Sequence, residues 1–362
     1  MILIDCAGDG RRRGLAHGEA VRGLVRDALQ RWADATAGAA GIPMTQYVSA
    51  FLSETKLIAA IERQLPDLVD EMRGIAEGAG VSFDQVVAYN LMDEQWWYDL
   101  ERGPDAEPGC SVIAVADQAD GTVLLAQNMD LPSYMDGGQL VLRIRRPGQP
   151  EALVLSAAGL LGLTGVNQAG LGLCVNTLLM LRHSRSGLPV TAVIRGALRY
   201  ENRDSALAFL QSVSHASGQH YAVGTPDGVA SIECSATGKA LTLSRPGATL
   251  IHTNHPLANG DLDLRAEAEL EHRGSIADSK RRLAFLHEQS PSIRNVSDIK
   301  RVLADRSVPI CKIPTGNRSS ITFGSVIFEL GSSPSAQFCP GLPTSNRWEQ
   351  PEWSTAPQSS PG

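Results

Sequence analysis

Nothing in these 362 residues resembles a membrane span, since no apolar run approaches the length that a bilayer crossing needs. The apolar start Met1–Ile4 is too short for the hydrophobic region of a secretory signal, so the expected location is cytoplasmic. Positive charge is scarce as well. A formal net charge of −7 argues against a nucleic-acid partner, because phosphate binding needs clustered Lys and Arg. The one dense basic run, Arg11-Arg12-Arg13, is followed by helix-like sequence and reads as the solvated entry to a helix. No CxxC pair occurs among the six cysteines, Cys6, Cys110, Cys174, Cys234, Cys311 and Cys339, so neither a disulfide framework nor a zinc site is indicated. GxSxG and HExxH are missing. Gly238-Lys239 is followed by Ala240 and makes no P-loop, and Gly159, Gly162 and Gly165 lack the GxG start of a dinucleotide fingerprint. No metal and no organic cofactor is expected.

What is present is an ordinary globular composition, 43% hydrophobic and 20% charged, with room for a large core. The chain changes character near residue 110. Before it the pattern is helical. Leu15, Ala20, Leu24, Val25, Leu29 and Trp32 suggest a stripe that ends at Gly41-Ile42-Pro43, and further helices are expected at 57–61, 68–75 and 86–100. The last carries Trp96, Trp97 and Tyr98, read as core or interface. From Ser111 the pattern is strand-like, with hairpin signals at Asp120-Gly121 and Asp227-Gly228. Strands are expected at 111–115, 123–126, 140–144, 152–155, 161–166, 172–175, 221–223, 229–233, near 241, and at 250–253, 321–329 and 336–338. Helices are expected at 190–197, 205–213, 277–287 and 296–303. Two sheets covered by helices make an α/β layered sandwich. The expected organisation is a helical segment 1–109, a catalytic core 110–344 and a loose Pro/Ser-rich tail 345–362.

Chemistry concentrates at one junction. Residues 102–109 read Arg-Gly-Pro-Asp-Ala-Glu-Pro-Gly, a turn-prone linker that runs into the buried-looking strand Cys110-Ser111-Val112-Ile113. A cysteine at such a junction can attack the preceding carbonyl, and glycine at 109 tolerates the backbone angles that a strained bond needs. Cleavage of Gly109–Cys110 frees an α-amine whose reference pKa of about 7.7–8.0 suits a general base at neutral pH. One residue then supplies both nucleophile and base.

Gly109-Cys110-Ser111, followed on the next strand by Ala126-Gln127-Asn128-Met129-Asp130, resembles the penicillin acyltransferase (isopenicillin-N acyltransferase-like) branch of the N-terminal-nucleophile hydrolases, and more distantly the bile-salt hydrolases. The resemblance implies a four-layer αββα sandwich and a self-cleavage site at Gly109 and Cys110. It also implies an α chain that stays associated with its β chain, with self-association of the particle left open, and a small N-acyl amide as substrate. Asp130 is implied to orient the new α-amine. The stretch 166–176, ending in Cys174-Val175-Asn176, is similar to the family's N-x-x-G-L element, which implies Asn176 at the oxyanion position. Thr253-Asn254-His255-Pro256 resembles its T-N-x-P element and implies the same for Asn254. An amide donates N–H groups to a developing alkoxide without altering the resting charge.

There are two departures. Gln127 stands where bile-salt hydrolases carry Arg, and Cys311-Lys312-Ile313 stands where Cys-Arg-His is common, an exchange of cations that are not equivalent. Arg281, Arg282, Lys312 and Arg318 are candidates for a substrate-facing cation. A Cys110 dyad with His252 or His255, acyl transfer to an amine, and a non-catalytic binding relative are the competing readings.

Overall fold

The computed structural model describes residues 1–101, 109–116, 121–243, 249–314 and 319–354. Strand β1 (Ile2–Ala7) comes first, then helices α1 (Gly10–Ala20), α2 (Arg22–Ala40), α3 (Met44–Thr55), α4 (Ile58–Gln64), α5 (Pro66–Ala79), α6 (Phe83–Asn90) and α7 (Met92–Leu100). A run of strands follows: β2 (Gly109–Val115), β3 (Val123–Pro132), β4 (Gln139–Arg145), β5 (Ala152–Ala157), β6 (Thr164–Asn167) and β7 (Gly172–Thr177). Helices α8 (Val190–Ala197) and α9 (Arg203–Ser212) precede β8 (Gln219–Thr225), β9 (Gly228–Cys234), β10 (Lys239–Leu243) and β11 (Thr249–His252). The last elements are α10 (Leu264–His272), α11 (Ser275–Gln289), α12 (Val296–Leu303), β12 (Ser320–Leu330) and β13 (Ser335–Pro340).

Two sheets pack face to face, one ordered β1-β4-β5-β6-β7-β8-β9-β10 and the other β11-β2-β3-β12-β13, with β2 and β3 lying against β7 and β8. Strand β2 shows why its apolar run is continuous. Val112 and Ala114 enter the core between the sheets, while Ile113 and Val115 enter a second core with Leu286, Ile299, Val302 and Leu303 of α11 and α12. Helix α9 lies on β8 of the other sheet. The layers are therefore α, β, β and α, as the expected sandwich requires.

The segment before residue 110 is not purely helical. Its β1 pairs in parallel with β4, from Ile2 opposite Leu140 to Ala7 opposite Arg145, and so adds an edge strand to the eight-stranded sheet. The expected helix at 86–100 is two helices, α6 and α7. The stripe Val25, Leu29 and Trp32 is buried on α2, which ends at Gly41 in the left-handed region at φ 69°. Helix α1 behaves differently: Leu15 is half-buried and Ala20 exposed, while Gly10, Gly14 and Gly18 face α5. A Cβ at Gly14 would run into the Glu71 carbonyl, so the two backbones touch because nothing larger intervenes.

That approach buries Arg13, contrary to the solvated-entry reading. Its Nε donates to Glu71 Oε2 at 2.7 Å and its Nη2 to Asp67 Oδ2 at 2.8 Å, and Arg195 of α8 reaches Glu71 Oε1 at 2.7 Å. Burial alone would raise the Glu71 carboxyl, yet Arg195 and Arg13 pull it down to about 2. The tail is also less loose than its composition suggests. Phe338 and Glu349 exchange backbone hydrogen bonds, and Trp353 Nε1 donates to Pro334 O at 2.7 Å. Residues 355–362 lie outside the described residues.

Candidate active site

Cys110 is the second residue of β2 and is 4% exposed. The strand register sets Gly109 opposite Asp130 and Cys110 opposite Met129, so the sulfur packs 3.5 Å from Met129 Sδ. Its backbone is held on both sides. The N–H donates to Asn254 Oδ1 at 2.7 Å, and the carbonyl accepts from Arg282 Nη1 at 2.6 Å. Arg282, on α11, also donates to Ser111 Oγ at 3.1 Å, Asn254 Oδ1 at 2.9 Å and Asp278 Oδ2 at 3.1 Å. The guanidinium fork thus ties the start of β2 to the end of β11. It is a fully buried side chain in the middle of the site, not the solvated cation that such residues usually are.

Asp130 sits beside the junction. Thr322 Oγ1, across the sheet on β12, donates to its Oδ1 at 2.7 Å, while the buried Oδ2 has no hydrogen-bond partner among the described residues. Burial lifts the carboxyl to about 7, with Lys312 and Arg282 opposing. The Cys110 thiol is pushed up to about 12, first by burial and then by the Asp130 charge, so it rests as a neutral thiol. Lys312 pairs with Asp278 at 3.5 Å. A Cβ on Gly109 would lie 2.5 Å from Lys312 Nζ and 3.1 Å from Asp130 Oδ2. A side chain here would displace the end of Lys312 and crowd Asp130 Oδ2, so glycine leaves room for both; the residue is extended, and the positive-φ positions do not include it.

The structure brings Cys110, Asn254, Arg282, Asp130 and Lys312 together. Asn254 Nδ2 donates to Thr177 O at 3.1 Å, so toward Cys110 the side chain presents its acceptor. Asn176 is fully buried. Its Oδ1 lies 2.8 Å from His220 Nδ1, and its Nδ2 amide is without a partner among the described residues. The dyad reading fails for His252, whose two ring nitrogens engage Glu233 Oε1 at 2.8 Å and Thr253 O at 2.7 Å. His255 turns Nδ1 to Ser279 Oγ at 2.8 Å, and burial lowers it to about 4. Gln127 braces the sheets, with its amide on the Val175 carbonyl and its oxygen accepting from Val175 N at 3.2 Å. Arg281 is solvent-exposed and pairs with Asp278, and Arg318 lies outside the described residues. The remaining cysteines are buried free thiols, as expected.

Sequence reading missed the wall opposite Cys110. The sulfur of Cys110 borders a small cavity whose sides include Met92, Trp96, Met129, Leu160, Val190 and Ile194, with Asp93 and Thr177 among its polar members. Trp96 thus belongs to the cavity as well as to the core. Asp93 carried no signal beyond its place in a helical pattern, because its partners Thr177 and Gln219 lie far along the chain.

A family model described as "Acyl-coenzyme A:6-aminopenicillanic acid acyl-transferase" matches residues 117–336, more than half of the chain. The 40 kDa form of acyl-coenzyme A:6-aminopenicillanic-acid-acyltransferase from Emericella nidulans is 26% identical over 264 residues, covering 72% of this chain and 70% of that protein. Among solved structures, penicillin V acylase from Agrobacterium tumefaciens shows 15% identity and a TM-score of 0.45, over 64% of this chain and 84% of that one. A variant of conjugated bile acid hydrolase from Clostridium perfringens shows 11% identity and a TM-score of 0.45, over 69% and 100% of the two chains.

Proposed function

The chain belongs to the acyl-coenzyme A:6-aminopenicillanic acid acyl-transferase family, a self-processing cysteine class of amidohydrolases and acyltransferases, and from that premise we propose that it cuts its own Gly109–Cys110 bond and then hydrolyses a small N-acyl amide through Cys110. The observation that carries this reading is the double grip on Cys110: Asn254 holds its nitrogen at 2.7 Å and Arg282 its carbonyl at 2.6 Å, with the thiol facing a cavity.

In processing, the sulfur attacks the Gly109 carbonyl carbon, the C–N bond breaks with the proton going to nitrogen, and water hydrolyses the resulting thioester. The products are a carboxylate on Gly109 and a free α-amine on Cys110. The α chain 1–109 stays on the β chain 110–362, because β1 is a strand of the shared sheet and Glu71 is bonded to Arg195 across the division. Turnover repeats the chemistry on substrate. The α-amine takes the thiol proton, sulfur attacks the acyl carbon, the proton passes to the departing amine, and water resolves the thioester to acid and thiol. Asp130 Oδ2, buried and unpartnered beside the Gly109 position, orients the ammonium. Asn176 Nδ2, buried and without a partner among the described residues, is assigned as an oxyanion donor, and Asn254, which anchors the nucleophile's nitrogen through Oδ1, has a second Nδ2 hydrogen beyond the one on Thr177 O for the same task.

Gln127 is spent within the protein, which supports a substrate other than a large anionic conjugate. Scattered, unpaired thiols support a reducing, cytoplasmic setting. Hydrolysis is the less demanding outcome, since transfer needs a second pocket that holds an amine and excludes water. The test is to supply an N-acyl amide with and without competing amines and to follow the acyl group, including its thioester on Cys110 by intact mass. Free acid as the main product agrees with hydrolysis. Delivery to one amine at low concentration makes the enzyme a transferase.

A further inference from the structure

The cavity at Cys110 is apolar on most of its wall, yet it includes one carboxylate. Asp93 lies at the start of α7 and is 8% exposed. Its Oδ2 accepts from Thr177 Oγ1 at 2.6 Å and from Gln219 Nε2 at 2.7 Å. No described residue donates to its Oδ1. The other threonine on the wall, Thr191, donates its hydroxyl to Asn90 O at 3.0 Å, so neither threonine proton is left for a ligand. Behind Asp93, Glu94 accepts from Ser217 Oγ at 2.8 Å and Val190 N at 3.1 Å through Oε1, and its buried Oε2 has no partner among the described residues. Two adjacent buried carboxyls with no cation on either among the described residues are costly to the fold, and a ligand that pairs one of them offsets that cost.

We propose that Asp93 determines acyl-group specificity: the acyl group carried on Cys110 is short and ends in a hydrogen-bond donor, an ammonium or a hydroxyl, that bonds Asp93 Oδ1. This rests on Cys110 being the acyl carrier. The apolar side chains around Cys110 suit the methylenes of such a chain, which must widen a cavity of about 20 Å³ as it enters, and a carboxylate on an apolar wall discriminates against an isostere that leaves it unpaired. Burial raises both the Asp93 and the Glu94 carboxyls, and an ammonium placed on Asp93 offsets that cost. The same cation acts on the nucleophile. The Cys110 thiol is held up by burial, by Asp130 and, to a smaller extent, by Asp93, so neutralising Asp93 makes the thiolate easier to form in the substrate complex.

The experiment compares β-alanyl, 3-hydroxypropionyl and butyryl anilides, which place NH₃⁺, OH or CH₃ at the same atom of the acyl chain, on the mature enzyme. Alkylation of Cys110 by iodoacetamide is measured in parallel. The expected result is a kcat/KM for one or both donor-bearing anilides that exceeds the butyryl value by roughly tenfold or more. Asp93→Asn, which can still accept from Thr177 and Gln219, lowers the ammonium-to-methyl ratio toward unity. The substrate series on the wild-type enzyme decides the matter even if that variant fails to fold. Butyryl anilide matching or exceeding the other two, with Cys110 alkylated normally, overturns the subsite and leaves the nucleophile standing. No turnover of any anilide together with an unreactive Cys110 overturns both.

Discussion

Replacing Arg282 with methionine removes the fork that holds the nucleophile while keeping most of the side-chain volume. Four bonds vanish: to the Cys110 carbonyl, Ser111 Oγ, Asn254 Oδ1 and Asp278 Oδ2. Asp278 is not orphaned, because Arg281 at 3.1 Å and Lys312 at 3.5 Å remain on it. Asn254 Oδ1 keeps the Cys110 N–H. The loss therefore falls mainly on two buried acceptors, the Cys110 carbonyl and the second lone pair of Asn254. At about 1–3 kcal/mol for each buried group deprived of its donor, the total is about 2–6 kcal/mol. Each 1.4 kcal/mol that appears in the barrier to attack slows self-cleavage about tenfold. The expectation is a processing half-time at least about tenfold longer, followed by gel separation of the two fragments, and a lower urea midpoint. Arg281→Met, at an exposed site, serves as the control and should change neither. An Arg282→Met chain that splits at the wild-type rate with an unchanged midpoint refutes the assigned role.

Other outcomes follow from the same geometry. Cys110→Ala should neither split nor turn over, whereas Cys174→Ala, buried on β7, should cost stability alone; comparing the two by gel and by activity identifies the thiol that acts. Asn176→Ala should lower kcat by roughly a hundredfold with a smaller effect on KM, the pattern for an oxyanion donor, and a defect confined to KM would make it a substrate ligand instead. Asp130→Asn should leave a folded protein with strongly impaired turnover, read as kcat on whatever fraction is processed. Acid should destabilise the fold in a defined window. Burial lowers His17 and His215 to about 4 from 6.5, and His17 Nε2 accepts from Gly159 N–H, so both are neutral when folded. The contribution of these two histidines is lost as pH falls from about 6.5 through 4, opposed in part by the raised Asp130 carboxyl, and protonation of Glu71, held down to about 2, should lower thermal midpoints further below that interval.

The site was legible in the sequence to the extent that its parts are local. The junction at Gly109–Cys110 and the hairpin that returns Asp130 beside it are short-range features, and the structure places Gly109 opposite Asp130. Gly228 adopts φ 117° at the turn between β8 and β9, as the Asp-Gly signal required, whereas residue 120 of the earlier signal lies outside the described residues. What sequence reading could not supply was long-range partnership. Arg282 and Asn254 are 28 positions apart, and Arg282 and Cys110 are 172 apart; only the packing of α11 against β2 and β11 unites them. β1 was missed because a short apolar start looks the same whether it is a strand edge or a frayed end. The α1 contact was missed because glycines, not apolar side chains, form it. Asn254 shows a subtler limit. Its place in the site was expected, but which end of its amide faces the nucleophile depends on Cys110 N–H, Arg282 and Thr177 O together.

The central claim is that Cys110 becomes a chain terminus. Its most direct test is to denature the purified, active protein, separate its components, and determine both the masses and the amino-terminal residues. The account predicts two fragments, the heavier one beginning Cys-Ser-Val-Ile and the lighter one ending at Gly109. A fully active preparation that remains one intact chain, or a new terminus at any other bond, contradicts it.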